Sequence, residues 1–242
     1  MNYIVFDLEW NQSAEGKECS VEHMPFEIIE IGAVKLNRQM KQISEFHRLV
    51  RPKAYKEMHF KISEVTHMDM EELSRKGQPF PVVMEDFLNW CGEDEYIFCI
   101  WGSMDLTELQ RNMTYHGMEI PFPRPLLYYD VQKLYSLEYS DGKSRISLDH
   151  AVEQLDLDQE RPFHRALDDA VYTGRTLRHI NMEEYGKYSR QRRCWATGSV
   201  CWKTSGSYGH GKEGTRCGAG RRSSCRSPLL PGLPGSYPWC CG

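Results

Sequence analysis

The sequence predicts an α/β fold, in which a mixed sheet is flanked by helices. Three segments with strand-like composition come first, at residues 2–10, 27–36 and 43–50. After them, segments with helical spacing alternate with short apolar segments of strand length as far as residue 180. Consecutive strands followed by alternating strands and helices are typical of a layered domain that contains both antiparallel and parallel strand pairs.

The three N-terminal strands are predicted from their β-branched and aromatic residues. Residues 2–10 read NYIVFDLEW and residues 27–36 read EIIEIGAVKL, and such compositions favour buried strands. A polar loop separates the first two segments, and Pro52 ends the third, because proline cannot donate a hydrogen bond to a sheet. Together the three segments predict an antiparallel meander.

Helices and one buried strand are predicted in the middle of the chain. A helix over residues 63–73 begins at a serine that can cap its N terminus. A second helix is predicted over residues 81–91, where apolar residues recur at helical spacing. Residues 96–101 form a compact apolar run typical of a buried strand, and residues 105–116 are predicted to form a helix that Gly117 ends.

The alternation continues towards the C terminus and then stops. A proline-rich loop leads to a predicted strand at residues 126–130 and a helix at residues 147–155. The last predicted helix covers residues 165–180, with apolar residues along one side. From residue 186 onward the periodicity vanishes, and a segment so rich in glycine, serine, arginine and cysteine is not expected to pack.

Charge divides the chain near the same point. Residues 1–183 carry a net charge of −12, whereas residues 184–242 carry +8. An acidic body does not fit a general duplex-DNA binder, which displays a broad basic face, but it suits the binding of divalent cations. We therefore predict a catalytic domain at residues 1–183 and, at residues 184–242, a basic tail rich in glycine, serine and cysteine that is disordered or non-native.

The sequence contains no sign of a membrane or secreted protein. No apolar run approaches the roughly 20 residues that cross a bilayer. The N terminus lacks the pattern of a secretion signal, and an odd number of cysteines, nine, argues against a disulfide framework. We therefore expect a cytoplasmic protein with no membrane partner. Protein partners are unknown from the sequence.

Acidic residues lie at the borders of three predicted elements. Asp7 and Glu9 end the first strand, in which residues i and i+2 point to the same face. Asp105 opens the helix after a buried strand, and Asp169 lies about one turn inside the last helix, after His164. Hard cations such as Mg²⁺ prefer carboxylate oxygens, and an imidazole can act as a base beside them. The pattern thus indicates a metal site with a neighbouring base.

Each of these motifs also has a purely structural interpretation. At average composition a D-x-E triplet occurs by chance roughly once per 250–300 positions. Asp105 is suited to cap a helix, and the helix dipole favours acidic residues such as Asp169 in a first turn. These interpretations account for the acidic residues one by one, but they leave His164 without a task.

The order D-x-E, then D, then H-x4-D resembles the motifs of the DEDDh 3′–5′ exonucleases, a family with a ribonuclease-H-like fold that includes polymerase proofreading domains. FDLEW matches the first motif, WGSMDLTEL the second and HRALDDA the third. The resemblance covers about residues 2–182. It is strongest to the branch that contains bacterial sporulation-inhibitor exonucleases and eukaryotic short-RNA-trimming exonucleases.

The resemblance implies a two-metal site built from Asp7, Glu9, Asp105 and Asp169. Two Mg²⁺ or Mn²⁺ ions would stabilise the attacking and leaving oxygens of an in-line displacement. His164 would be the general base that deprotonates the attacking water. The implied reaction releases nucleoside 5′-monophosphates from the 3′ ends of single-stranded RNA or DNA.

The resemblance leaves some assignments open. Family spacing favours Asp169 as the ligand over its neighbour Asp168, which projects about 100° away around the helix. Many family members have a small residue followed by Thr or Gly after the D-x-E motif, whereas this chain has Trp10 and Asn11. Trp10 could stack on the terminal base or belong to the core, and Asn11 and Arg165 are the other predicted substrate contacts.

Two other functions are alternatives. A haloacid-dehalogenase-type phosphatase also begins with an apolar strand and FD-x-D, with Asp7 as the nucleophile. Glu9 and the lack of a following Gly-Thr argue against it, and it gives His164 no task. The second alternative is a catalytically idle nucleic-acid-binding protein on the same fold, although all five catalytic-type residues are present.

Overall fold

The computed structural model describes residues 1–123 and 125–192, and for residues 17, 191 and 192 it describes the backbone alone. The strands of this part are β1 (Asn2–Asn11), β2 (Glu27–Leu36), β3 (Gln42–Leu49), β4 (Tyr96–Ile100), β5 (Leu126–Asp130) and β6 (Arg190–Arg192). They form one sheet in the order β3-β2-β1-β4-β5-β6. The pairs β1–β2, β2–β3 and β5–β6 are antiparallel, whereas β1–β4 and β4–β5 are parallel. The predicted mixed sheet is confirmed.

Helices cover the sheet and connect its parallel strands. Those in the described residues are α1 (Phe60–Thr66), α2 (Met70–Lys76), α3 (Phe80–Cys91), α4 (Met104–Tyr115), α5 (Val131–Tyr139), α6 (Leu148–Gln154), α7 (Ala166–His179) and α8 (Met182–Tyr185). None of these helices has both the length and the apolar character that crossing a membrane requires.

Two helical regions differ from the prediction. The single helix expected over residues 63–73 is wrong, because His67 adopts a left-handed conformation (φ 57°) and ends α1. Asp69 then caps α2 by accepting the N–H of Glu72 at 2.7 Å. Helix α5 was not predicted. It follows β5 without a loop, because Asp130 both ends the strand and caps the helix, accepting the N–H of Lys133 at 3.0 Å.

The central strand β1 is buried on both faces and so connects two hydrophobic clusters. Ile4, Phe6 and Leu8 belong to the cluster that includes residues of α3 and α4. Val5 belongs to the other cluster, with residues of α5, α6 and α7. Because side chains alternate along a strand, Asp7 and Glu9 share the face of Val5, which is the face that α7 covers. The strand thus directs its acidic pair towards α7.

The packed structure continues past residue 183, where the sequence predicted the domain to end. After α8 come a short 3₁₀ turn (Gly186–Tyr188) and strand β6, which pairs with β5. Arg190 forms an ion pair with the buried Asp130, with 3.1 Å between Nη1 and Oδ2. All described residues belong to one compact unit. The rest of the predicted tail, residues 193–242, lies outside the described residues.

Candidate active site

Three carboxylates that are distant in sequence meet between β1 and α7. Asp7 and Glu9 project from β1, and Asp169 lies in the first turn of α7. One carboxylate oxygen from each of the three lies within 4.8 Å of the other two. This spacing is close enough for a single cation to contact all three side chains.

The structure distinguishes between the two aspartates of α7. Asp168 points away from the acidic group and forms an ion pair with Arg161, with 2.7 Å between Oδ1 and Nη1. Asp169 joins Asp7 and Glu9 instead. The helical separation expected between adjacent residues therefore directs Asp169 into the site and Asp168 to Arg161 in the loop before α7.

Asp105 approaches the same place from the neighbouring strand. It lies in the first turn of α4, just after β4, and β4 runs parallel to β1, so both strands end at the same edge of the sheet. Its Oδ1 accepts the backbone N–H of Leu8 at 3.2 Å, between the two acidic residues of β1. Burial is the largest cause of the raised pKa of Asp7, and the charge of Asp105 is the second largest. All four predicted acidic residues are thus brought together.

The crowded carboxylates are difficult to ionise together. Burial, reinforced by mutual repulsion, raises the pKa of Asp7 and Glu9 well above the usual range. Burial likewise raises the pKa of Asp105 and of Asp169 to about 7. A bound cation would remove this repulsion, and an all-oxygen donor set suits a hard divalent ion.

Asp169 adds an independent indication that this group of carboxylates can bind a cation. Its Oδ2 accepts the backbone N–H of His164 at 3.2 Å. Its Oδ1 is buried and has no hydrogen-bond partner among the residues that the structure describes. A buried carboxylate oxygen without a partner is costly, so this atom fits the position of a cation ligand.

His164 lies next to the acidic group on a tightly bent backbone. Its φ of 64° is in the left-handed region, and this bend directs its N–H to Asp169. Its side chain is exposed. The pKa of Asp149 in α6 is lowered, first by a hydrogen bond from Ser147 and to a smaller extent by the charge of His164. The role of His164 as a base stays a prediction.

The loop that carries His164 is held by Tyr172 of α7. The Tyr172 hydroxyl accepts the N–H of Arg161 at 3.0 Å and donates to the carbonyl of the same residue at 2.8 Å. The Tyr172 ring also stacks on Phe163, with 4.8 Å between centroids. In the sequence, Tyr172 is an ordinary position of the predicted last helix. Its contact with the loop became visible only in the folded chain.

Asn11 is engaged within the protein, and its predicted role as a substrate contact stays a prediction. It is fully buried, its Oδ1 accepts the N–H of His59 at 2.9 Å, and its Nδ2 donates to the carbonyl of Glu57 at 2.8 Å. The side chain therefore anchors a loop. Trp10 is partly buried and packs on Phe26, with 5.7 Å between ring centroids, so its stacking on a base stays a prediction.

The loop that Asn11 anchors is also held at its other end. The buried carboxylate of Glu27 accepts three successive backbone N–H groups, those of residues 53, 54 and 55, at 2.6, 2.8 and 2.9 Å. At the end of the loop the ring of His59 stacks on Phe60, whose side chain is 68% exposed. This aromatic pair, in which Phe60 is exposed, was missed from the sequence, because nothing local indicates that the loop returns to β1.

Arg165 is engaged by a buried glutamate that the sequence analysis also missed. The guanidinium donates from Nη2 to Oε1 of Glu30 at 2.7 Å and from Nε at 3.2 Å. Glu30 is fully buried in β2, opposite Glu9 of β1. The signal was an acidic residue within the otherwise apolar run of residues 28–34. The predicted contact of Arg165 with substrate remains untested, and its observed partner is Glu30.

Gly32 permits the close approach of α7 to the sheet. It lies in β2 opposite Asp7. A Cβ at this position would lie 2.0 Å from the backbone nitrogen of Leu167 and 2.1 Å from the carbonyl carbon of Ala166. Because both are backbone atoms, no side-chain rotation could relieve the contact. The position of Asp169 beside β1 therefore requires glycine here.

Comparisons with known proteins agree with this geometry. The sequence model of a family described as exonuclease matches residues 4–177. A full-length 3′-exonuclease superposes with a TM-score of 0.66 at 20% identity, covering 85% of this chain and 92% of that one. A 3′-exonuclease described as recognising the 3′ end of a histone mRNA stem-loop gives 0.67 at 20% identity, covering 84% and 91%.

A third solved structure is the nuclease domain of 3′hExo, described as a DEDDh family member bound to rAMP. It gives a TM-score of 0.64 at 22% identity and covers 78% of this chain and 95% of that one. A search among curated protein sequences gave no match. At these identities the three structures show a shared fold.

Proposed function

Since the chain belongs to the exonuclease family and is therefore a nuclease, we propose that it is a divalent-metal-dependent 3′–5′ exonuclease. It hydrolyses phosphodiester bonds at the 3′ ends of single-stranded RNA or DNA and releases nucleoside 5′-monophosphates. The observation that carries the proposal is the convergence of Asp7, Glu9 and Asp169 within 4.8 Å, with Asp105 bonded to the backbone between the first two.

The acidic residues would hold two divalent ions, Mg²⁺ or Mn²⁺. Asp7 would contribute to both ions, Glu9 and Asp169 would complete the set for one, and Asp105 would contribute to the other. When bound, such a pair supplies the positive charge that stabilises the attacking and leaving oxygens of phosphoryl transfer. The raised pKa values and the unpartnered Oδ1 of Asp169 support this assignment.

His164 would take the proton from the attacking water. Its backbone N–H is bonded to Asp169, and its side chain is exposed, which supports this assignment. A base of this kind acts in the transition state, so its contribution should appear in turnover rather than in substrate binding.

A single-stranded 3′ end is the proposed substrate. Two of the similar structures are described with an RNA 3′ end or with rAMP, which supports a nucleotide substrate. The exposed Phe60 and the partly buried Trp10 offer aromatic surface near the end of β1, and base stacking on such rings tolerates any sequence.

The test is digestion of 5′-labelled single-stranded RNA and DNA with Mg²⁺, Mn²⁺ or EDTA. The wild type should produce a ladder shortened from the 3′ end, only with metal. Asp7→Asn should abolish the ladder while oligonucleotide binding stays measurable. Asp86→Asn is a matched control, because Asp86 is a surface residue paired with Arg48. Cleavage that persists in EDTA, or a phosphoaspartate trapped on Asp7, would contradict the proposal.

A further inference from the structure

We propose that Glu30 is a positioning residue, whose buried carboxylate fixes the N terminus of α7 against β2 and so sets the place of Asp169 relative to the D-x-E pair on β1. This inference deepens the proposed function and rests on it. Glu30 itself lies outside the group of three carboxylates that lie within 4.8 Å of one another. Its effect on the site is therefore indirect.

The location of Glu30 in the sheet directs it to α7. Glu30 stands opposite Glu9, and Gly32 stands opposite Asp7, in the antiparallel ladder of β1 and β2. Directly opposed residues share a face of a sheet, so all four face α7. The Glu30 side chain is fully buried, and a buried charge persists only when it is paired and hydrogen-bonded.

The partners of Glu30 lie at the first residues of α7. Its Oε1 accepts from Nη2 of Arg165 at 2.7 Å, and its Oε2 accepts the backbone N–H of Ala166 at 3.1 Å. Arg165 is the N-cap residue of α7, and it makes no side-chain capping bond of its own. The carboxylate of β2 thus caps the helix from outside, where a negative charge also complements the helix dipole.

The anchor is only one helical turn from the metal-binding side chain. The N–H of Asp169 donates to the carbonyl of Arg165 at 2.9 Å, which closes the first turn of α7. A displacement of Arg165 and Ala166 would therefore carry Asp169 with it. The close contact with Gly32 sets the distance between α7 and the sheet. The bonds of Glu30 hold the N terminus of α7 in place along β2.

His47 provides a matched control for the anchor. Its Nε2 lies 2.6 Å from Oε1 of Glu30, but it belongs to β3, and the Oε2 that accepts the N–H of Ala166 is not its partner. Its side chain is 39% exposed and can turn to water. Removing the His47 contact removes one bond of Glu30 and leaves those to α7 intact.

The experiment compares Glu30→Gln with His47→Gln in the full chain. Titration calorimetry with MnCl₂ on the metal-free protein measures metal affinity, and digestion of a labelled oligonucleotide measures kcat and KM. Glu30→Gln should weaken Mn²⁺ binding by about tenfold or more and lower kcat at least as much, because outer partners of metal ligands typically have this effect. KM should change by less than about threefold. His47→Gln should change each quantity by less than about threefold.

Several results would overturn the inference. A folded Glu30→Gln protein with wild-type Mn²⁺ affinity and kcat would do so, as would equal losses in His47→Gln. If Glu30→Gln fails to fold, Arg165→Met removes the guanidinium bonds of the anchor from the helix side, and unchanged Mn²⁺ affinity there would refute the inference. Wild-type protein that binds Mn²⁺ but releases no nucleotides would contradict the proposed function, and the titrations would still decide the role of Glu30.

Discussion

Replacing Gly32 by alanine tests whether the closeness of α7 to the sheet creates the site. The added Cβ would lie 2.0 Å from the backbone nitrogen of Leu167, and a tolerated contact needs about 3.4 Å. The N terminus of α7 must therefore retreat by about 1.4 Å, since the backbone of β2 is held in its ladder on both sides. Asp169 would move with the helix, away from Asp7 and Glu9.

The displacement predicts separate effects on stability and on turnover. Overpacking of this kind typically costs about 1–3 kcal/mol in the free energy of unfolding, which corresponds to a fall in Tm of roughly 2–12 °C for a domain of this size. A misplacement of about 1 Å at a catalytic centre can cost about 100-fold in rate. We therefore expect kcat to fall by about two orders of magnitude in a protein that still folds.

The assay measures Tm and metal-dependent nucleotide release for Gly32→Ala beside Gly174→Ala. Gly174 lies in the same helix, but a Cβ there would meet only side-chain atoms, the nearest being Val34 Cγ2 at 3.3 Å. Alanine is also favoured over glycine within a helix by about 1 kcal/mol. Gly174→Ala should keep its activity and its Tm. If Gly32→Ala retains turnover within about threefold of wild type, the argument that Gly32 places α7 is refuted.

Three further predictions follow from the site and its surroundings. His164→Ala should lower kcat about 10²–10⁴-fold while KM for the oligonucleotide stays within about threefold, and equal losses in both would contradict the role of a base. Truncation after residue 192 should leave Tm and activity unchanged. Truncation after residue 189 removes β6 and Arg190, the ion-pair partner of the buried Asp130, and should lower Tm by more than about 5 °C. Equal melting temperatures of the two truncated proteins would contradict this. In the metal-free protein the folded state keeps protons on Asp105 and Asp169, because their pKa of about 7 exceeds the ordinary 3.8. Thermal stability should therefore decrease as the pH rises from about 4 to about 7. Mn²⁺ should restore the stability that is lost. Melting curves in EDTA that do not change over this range would refute that expectation.

The acidic pair of β1 was predictable because its geometry is local, and Asp105 and Asp169 were predicted from the order of motifs that resembles the DEDDh exonucleases. Alternation along a strand places Asp7 and Glu9 on one face, and the borders of predicted elements placed Asp105 and Asp169 at the edge of the sheet. Glu30 was not predictable in this way, since its partners at the start of α7 lie 135 and 136 residues further along the chain. Sequence patterns describe neighbours along the chain, and such pairings arise only when the sheet and α7 pack.

Two other features that the sequence did not reveal have the same origin. Asn11 follows the acidic motif directly, and its position suggested a substrate contact. Its actual partners come from residues 57 and 59, which return to β1 after the whole β2–β3 hairpin. The single helix expected over residues 63–73 failed because the pattern of apolar residues did not reveal the left-handed turn at His67.

The loop held by Glu27 and Asn11 also affects how the protein should respond to trypsin. Lys53, Lys56 and Lys61 are exposed and offer three cleavage points in or beside this loop. A protease must draw its target into an extended conformation, which requires the N–H groups of residues 53–55 to leave the carboxylate of Glu27. The rate of nicking at these lysines would therefore report how often the loop opens. A nick after Lys53 or Lys56 would place His59 and Phe60 on a different fragment from the strand that carries Asp7 and Glu9.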